Sequence, residues 1–98
     1  KRFQNNGRFL SKNGKLIEYP FRLNLNKYTY GYISNKNYDY NLTGVTFHQG
    51  SLNGGHYFSI VHNQNDWILL NDDITQIVKN EQQIINNQNA YILFYKKV

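Results

Sequence analysis

The sequence predicts a mostly β protein, an antiparallel sheet with little helix. Three observations carry that reading. Nine Tyr, six Phe and one Trp stand among 98 residues, and aromatic and β-branched side chains favour pleated strands. Apolar residues alternate with polar ones, as in Phe21, Leu23 and Leu25 against Arg22, Asn24 and Asn26, which is the period of a strand with one buried face. The runs are separated by Gly- and Asn-rich clusters of the kind that make turns.

The elements follow in order. Lys1 to Phe3 reads as the end of a strand. Arg8 to Lys12 and Lys15 to Tyr19 flank Asn13-Gly14, a hairpin signal because both turn residues tolerate positive φ. Pro20 ends that run, and Phe21 to Leu25 is extended. Residues 26–37, rich in Asn, Lys, Gly and Tyr, read as a surface loop. Tyr38 to His48 is the next strand, with Leu42, Val45 and Phe47 as its buried members. Gly50 to Gly55 is a turn, Tyr57 to His62 a strand, Asn63 to Asp66 a four-residue turn, and Trp67 to Leu70 a strand buried on both faces. Ile74, Ile77 and Val78 continue in extended or irregular form. Lys79 to Gln88 suits a short helix capped by Asn80. Ala90 to Tyr95 closes the chain as a central strand.

Composition bounds the function. With 40% apolar residues the chain has bulk for one modest core. No Cys is present, so a disulfide scaffold, a zinc–thiolate site and a cysteine nucleophile within these residues are excluded. No apolar run is long enough to span a membrane, and the N-terminal residues carry no signal-peptide pattern. An intracellular location, in cytoplasm or nucleus, is expected. The net charge of +5 raises nucleic-acid binding, but the lysines are dispersed and no cluster interleaves them with aromatics. Neither nucleic acid nor membrane is expected as a partner. Three His, at 48, 56 and 62, match no metal-ligand spacing, so no metal and no cofactor are expected.

The chemistry concentrates in Gly50-Ser51-Leu52-Asn53-Gly54-Gly55-His56-Tyr57 and, fifteen residues after the histidine, Asn71-Asp72-Asp73. A Gly-rich turn delivers His56 to the start of a strand, and the return strand brings an amide and two carboxylates toward it. If the Asn63–Asp66 turn joins the two strands, His56 lies opposite Asp73 and Phe58 opposite Asn71, since directly opposed residues share a face. Asn71 is then a diagonal neighbour of His56, about 7–8 Å away between backbones, and a one-residue bulge would substitute Asp72. An amide oxygen or a carboxylate serves equally to hold one imidazole nitrogen while the other faces a nucleophile. Gly54 and Gly55 would let a substrate backbone approach closely.

These motifs, in this order, resemble the C-terminal portion of the ubiquitin-specific protease catalytic domain, a papain-like cysteine deubiquitinase. Lys1-Arg2-Phe3 resembles a strand end of that family, and Pro20, Leu23 and Leu25 its Pro-x-x-Leu-x-Leu segment. Tyr40 to Val45, then His48 to Ser51 and Gly54 to Tyr57, resemble its histidine box, Trp67 to Asp73 its third-residue box, and Ala90 to Tyr95 its closing strand. The resemblance implies that residues 1–98 form much of the palm, without the cysteine box and the fingers. It implies that His56 is the general base, Asn71 its orienting residue and Asp72 a supporting neighbour. It further implies that the Gly50 to Gly55 loop covers the ubiquitin tail near the scissile bond and that Gly54, Gly55, Tyr57 and His48 bind substrate. The partners implied are ubiquitin, ubiquitinated proteins and the upstream, cysteine-bearing part of the same domain. A catalytically inactive ubiquitin-binding or scaffold relative is the alternative, although this chain keeps both the histidine and its partner.

Overall fold

The computed structural model describes residues 3–5, 10–12, 18–28, 38–51 and 54–98. Eight strands are found among them: β1 Phe3–Asn5, β2 Leu10–Lys12, β3 Arg22–Asn24, β4 Asp39–Gln49, β5 His56–Asn63, β6 Asp66–Asn71, β7 Ile74–Val78 and β8 Ala90–Lys97. All pairings are antiparallel, as the composition predicts. The Asn13-Gly14 turn, its return run over 15–17, and most of the expected 26–37 loop lie outside the described residues. Where that loop begins, Asn26–Tyr28 forms a single 3-10 turn.

β1 and β2 make a two-stranded sheet, and the other six form a second. In the larger sheet β4 is the hub. β8 pairs with it from Tyr40 to Phe47. β3 pairs with its first three residues and β5 with Gly44 to Gln49. Because β8 overlaps both, β3 and β5 must share the opposite edge of β4, one behind the other. β6 and β7 then extend the sheet by consecutive hairpins.

One face carries the core. Leu42, Val45 and Phe47 of β4 and Ile60 of β5 are buried there, each worth about 1.5–3 kcal/mol when fully withdrawn from water. Tyr19 and Ile84 close over them. The Tyr19 hydroxyl donates to the Ile84 carbonyl, and its backbone N–H donates to Asn86 Oδ1 at 2.6 Å. The segment that holds Ile84 is a 3-10 turn, Glu81–Gln83, whose N-cap Asn80 accepts from the Gln82 N–H at 3.0 Å. The expected cap is therefore present, on a shorter element than a helix over 79–88.

Three expectations are corrected and a fourth, the extended or irregular form of residues 74–78, is made definite. The turn between β5 and β6 has two residues, Gln64 and Asn65, with Gln64 at φ 58°; pairing simply continues to Asn63 and Asp66 in the register expected. Residues 74–78 are an ordered strand, because Asp72 takes φ 52° and turns the chain back on itself with Asn71 opposite Ile74. Leu70 is 42% exposed, so β6 is not buried on both faces. β8 pairs with β4 alone and is an edge strand among the described residues, although its sequence reads as a central one.

Candidate active site

Alternation places the site. His56 opens β5, and Gln49 of β4 faces it directly. Phe58, two residues on, shares its face, and Phe47 faces Phe58. The His56 ring lies over Phe58 at 6.4 Å and 22°, and Phe58 stacks on Phe47 at 5.0 Å and 18°. The fully buried Phe47 thus anchors an aromatic row that ends in the imidazole at the surface. Offset rings of this kind hold one another's planes as well as burying area.

Asn71 is the last residue of β6. Its Oδ1 lies 2.6 Å from His56 Nε2. An amide oxygen only accepts, so Nε2 carries the proton and Nδ1 is left with the lone pair. Asp72 Oδ2 stands 3.9 Å from the same Nε2. That carboxylate is solvated and interacts as an ion only when the imidazole is protonated, so its attraction is small, within about 1 kcal/mol for an exposed pair. The strand arithmetic favours Asn71 over Asp72, and the geometry agrees. It corrects the position of Asp73, which sits in the turn before Ile74 and not opposite His56. The reason is the positive φ of Asp72, which ends β6 before that pairing can form.

The turn ahead of His56 is built by backbone and small side chains. Gly50 adopts φ 91°, and the Gly54 N–H donates to Ser51 Oγ at 3.2 Å. Leu52 and Asn53 lie outside the described residues. Gly54 and Gly55 are exposed, as a surface for a passing chain requires. A Cβ on Gly55 would lie 1.9 Å from His48 Nε2 and 2.5 Å from the Ser51 carbonyl. Only glycine fits there.

The same clash locates His48, and it corrects an expectation. His48 is 1% exposed; its ring lies beneath Gly55, not along an open substrate path. Tyr57, which faces His48 across the ladder, projects from the side of β5 opposite to His56. Its ring contacts His48 at 4.6 Å and Tyr91 at 5.7 Å. Strand alternation is the physical reason: residues 56 and 57 cannot share a face. His56, Asn71, Asp72, Gly54 and Gly55 are brought together, while His48 and Tyr57 support the turn from behind. Tyr91 completes that support and went unnoticed in the sequence, since it falls at a register shift of β8 between the partners of Thr46 and Phe47. The three histidines do not converge, and among the described residues no group of three or more His, Cys, Asp or Glu comes together.

Comparison with known proteins shows the family to which such a chain is similar. The sequence model of the family described as ubiquitin carboxyl-terminal hydrolase matches residues 1–95. The probable ubiquitin carboxyl-terminal hydrolase 8 of Schizosaccharomyces pombe is 40% identical over 96 residues, covering 97% of this chain and 20% of the relative. Ubiquitin carboxyl-terminal hydrolase 16 of Arabidopsis thaliana is 40% identical over 100 residues, covering 99% of this chain and 9% of its own length. Among solved structures, a chain of the SAGA Ubp8/Sgf11/Sus1/Sgf73 DUB module bound to ubiquitin aldehyde superposes with a TM-score of 0.85 at 27% identity, over 100% of this chain and 23% of that one. The present chain therefore spans a fifth or less of the length of these two relatives.

Proposed function

The chain belongs to the ubiquitin carboxyl-terminal hydrolase family, and on that premise we propose that it supplies the general base and its orienting partner to a thiol-dependent deubiquitinase. The observation that carries the reading is the His56–Asn71 contact of 2.6 Å, made beside a glycine turn that leaves room for an extended chain. Asn71 fixes the ring so that the basic nitrogen, Nδ1, faces away from β6. Nδ1 takes the proton of a cysteine thiol supplied by another part of the catalytic domain. The thiolate attacks the carbonyl carbon of the last glycine of ubiquitin, and the imidazolium returns its proton to the departing amine. A thioester joins ubiquitin to the enzyme. Water then attacks that thioester, giving its proton to Nδ1, and the thiol and the ubiquitin carboxylate are released. During the charged interval Asp72 steadies the imidazolium through space.

Residues 1–98 act in this reading as the palm-side part of the domain. The face of the sheet turned away from His56 supports it. Leu70, Ile77, Ile92 and Phe94 lie exposed on that face, apolar surface open to packing by another part of the domain. An intracellular location goes with the same reading. The inactive-scaffold alternative gains nothing from a site that keeps histidine and asparagine in contact.

The test is hydrolysis of a ubiquitin–fluorophore conjugate by the full chain carrying the cysteine. His56→Ala is expected to lower kcat by about 10²–10⁴-fold, the usual worth of a positioned base, with an unchanged circular dichroism spectrum. Full activity in that variant, or turnover by the 98 residues alone, overturns the mechanism.

A further inference from the structure

A second site lies at the far end of β5. From His56 to His62 the strand runs about 20 Å at the usual rise per residue, so this site is separate from the imidazole. It arises from the way β3 and β5 share one edge of β4. β3 pairs as far as Asn41, the Leu42 N–H still donates to the Phe21 carbonyl at 2.7 Å, and β5 begins its pairing at Gly44, so β3 gives way to β5 at Thr43. On the β8 side the register shifts between Leu42 and Gly44, and the Thr43 hydroxyl donates to the Phe94 carbonyl at 3.2 Å. At this junction lies a notch with a volume of about 560 Å³.

The walls of the notch differ in character. Phe21 and Trp67 form an apolar pair, with ring centroids 5.7 Å apart at 43°, and His62 lies against Trp67 at 4.8 Å. On the β8 side stand Lys96 and Lys97, both exposed and without an ion pair among the described residues; as neighbours on one strand they project to opposite faces, one toward each mouth of the notch. Arg22 also lines the notch, but its guanidinium is engaged by Asp39 at 3.0 Å. Glu81 lines the notch as well.

We propose that this notch binds a short acidic peptide segment of a partner protein, seating one aromatic or branched aliphatic side chain between Phe21 and Trp67 and directing its Asp or Glu residues toward Lys96 and Lys97. The volume suits one or two side chains. Charge complementarity with a β8 wall that has cations and no anion selects an acidic ligand. Glu81 restricts where the acidic groups settle, since one beside it is repelled. A nucleic acid fits less well, because phosphates running along the notch in both directions would meet Glu81.

The experiment is fluorescence anisotropy of a fluorescein-labelled peptide with a central Phe flanked on both sides by Glu, titrated with the full chain. Saturable binding that weakens with added salt is expected, together with at least about tenfold weaker binding by Lys96→Glu/Lys97→Glu, equivalent to about 1.4 kcal/mol. Lys79→Glu, an exposed charge reversal outside the notch, is expected to bind as the parent does. Circular dichroism establishes that each variant is folded. Equal binding by the double variant, tighter binding of a single-stranded RNA oligonucleotide with the same Lys96/Lys97 dependence, or no saturable binding because another segment of the chain fills the notch each overturns the proposal.

Discussion

The ring of His48 occupies the space in which Gly55 would carry a side chain, with Nε2 only 1.9 Å from the position of a Cβ there. A buried residue thereby dictates the identity of an exposed one next to His56. Gly55→Ala is expected to force the turn off the His48 ring, costing about 1–3 kcal/mol as overpacking does and displacing His56 from Asn71. Gly54→Ala, whose new Cβ would meet only Ser51 Oγ at 3.7 Å, is expected to change stability by less than about 0.5 kcal/mol. Thermal unfolding, read beside the imidazole NMR signals of His56, distinguishes the two.

Asn71 and Asp72 both lie within 4 Å of His56 Nε2, but only Asn71 is close enough to fix the tautomer. Asn71→Ala is expected to lower kcat by about tenfold to a hundredfold, less than loss of the base itself, because Asp72 remains to attract the ring. Asn71→Asp keeps an acceptor oxygen and is expected to retain most activity. Asp72→Asn is expected to lower kcat by less than about fivefold, in line with a solvated pair. Steady-state kinetics on a ubiquitin–fluorophore conjugate measures all three, with KM nearly constant throughout.

Much of this arrangement was legible in the sequence, for identifiable reasons. The register of β5 against β6 follows from a turn whose length preserves the pairing, so the approach of Asn71 to His56 could be counted out from residue numbers. Leu42, Val45 and Phe47 were legible as core because they alternate along β4 with allowance for one irregularity, which is the register shift at Leu42/Gly44. The failures are equally specific. Nothing in Asn71-Asp72-Asp73 resembles the Asn-Gly or Asp-Gly pairs that advertise a tight hairpin, so the turn at Asp72 was missed and the segment after it was read only as extended or irregular. The edge position of β8 is hidden because Ala90 to Tyr95 is apolar enough for a central strand. His48 and Tyr57 were grouped with the substrate turn by proximity along the chain, where alternation assigns them to the opposite side from His56.

The turn at Asp72 has its own consequence. A non-glycine residue at φ 52° is tolerated best when it is Asn, Asp or Gly. Asp72→Val is expected to destabilise the protein by about 1–2 kcal/mol, the cost of forcing a β-branched residue into the left-handed region, and to loosen Asn71 with it. Asp72→Gly is expected to be nearly neutral in stability. Chemical denaturation midpoints check both.

Asp39 gives a pH dependence whose sign is fixed by its contacts. Asn24 Nδ2 donates to Asp39 Oδ1 at 2.6 Å, and Arg22 Nη2 donates to Oδ2 at 3.0 Å. These hydrogen bonds, Asn24 first, hold the carboxyl below its ordinary 3.8. The unfolded chain therefore takes up the proton first as the solution is acidified. The stabilisation is complete above 3.8, declines as the pH falls below it, and is gone once the folded carboxyl is itself protonated. Asn24→Ala is expected to raise the Asp39 value and to flatten that acid limb. Carboxyl NMR titration reads the first effect and acid unfolding the second.

Phe58 links the core to the site, and the two roles separate by substitution. Its ring lies between the buried Phe47 and the His56 imidazole. Phe47→Ala removes a side chain with no exposure and is expected to cost about 3–5 kcal/mol through the cavity left behind, with activity falling because the protein unfolds. Phe58→Leu keeps apolar volume and is expected to cost less than about 1.5 kcal/mol, but it takes away the flat surface that aligns the imidazole. In that variant kcat is expected to fall severalfold with KM and the unfolding midpoint little changed, and the Nε2 contact of His56 with Asn71 to broaden in NMR. A Phe58→Tyr substitution restores the flat surface and is expected to restore kcat. If Phe58→Leu instead lowers kcat only in proportion to lost stability, the ring serves packing alone and Asn71 orients His56 without it.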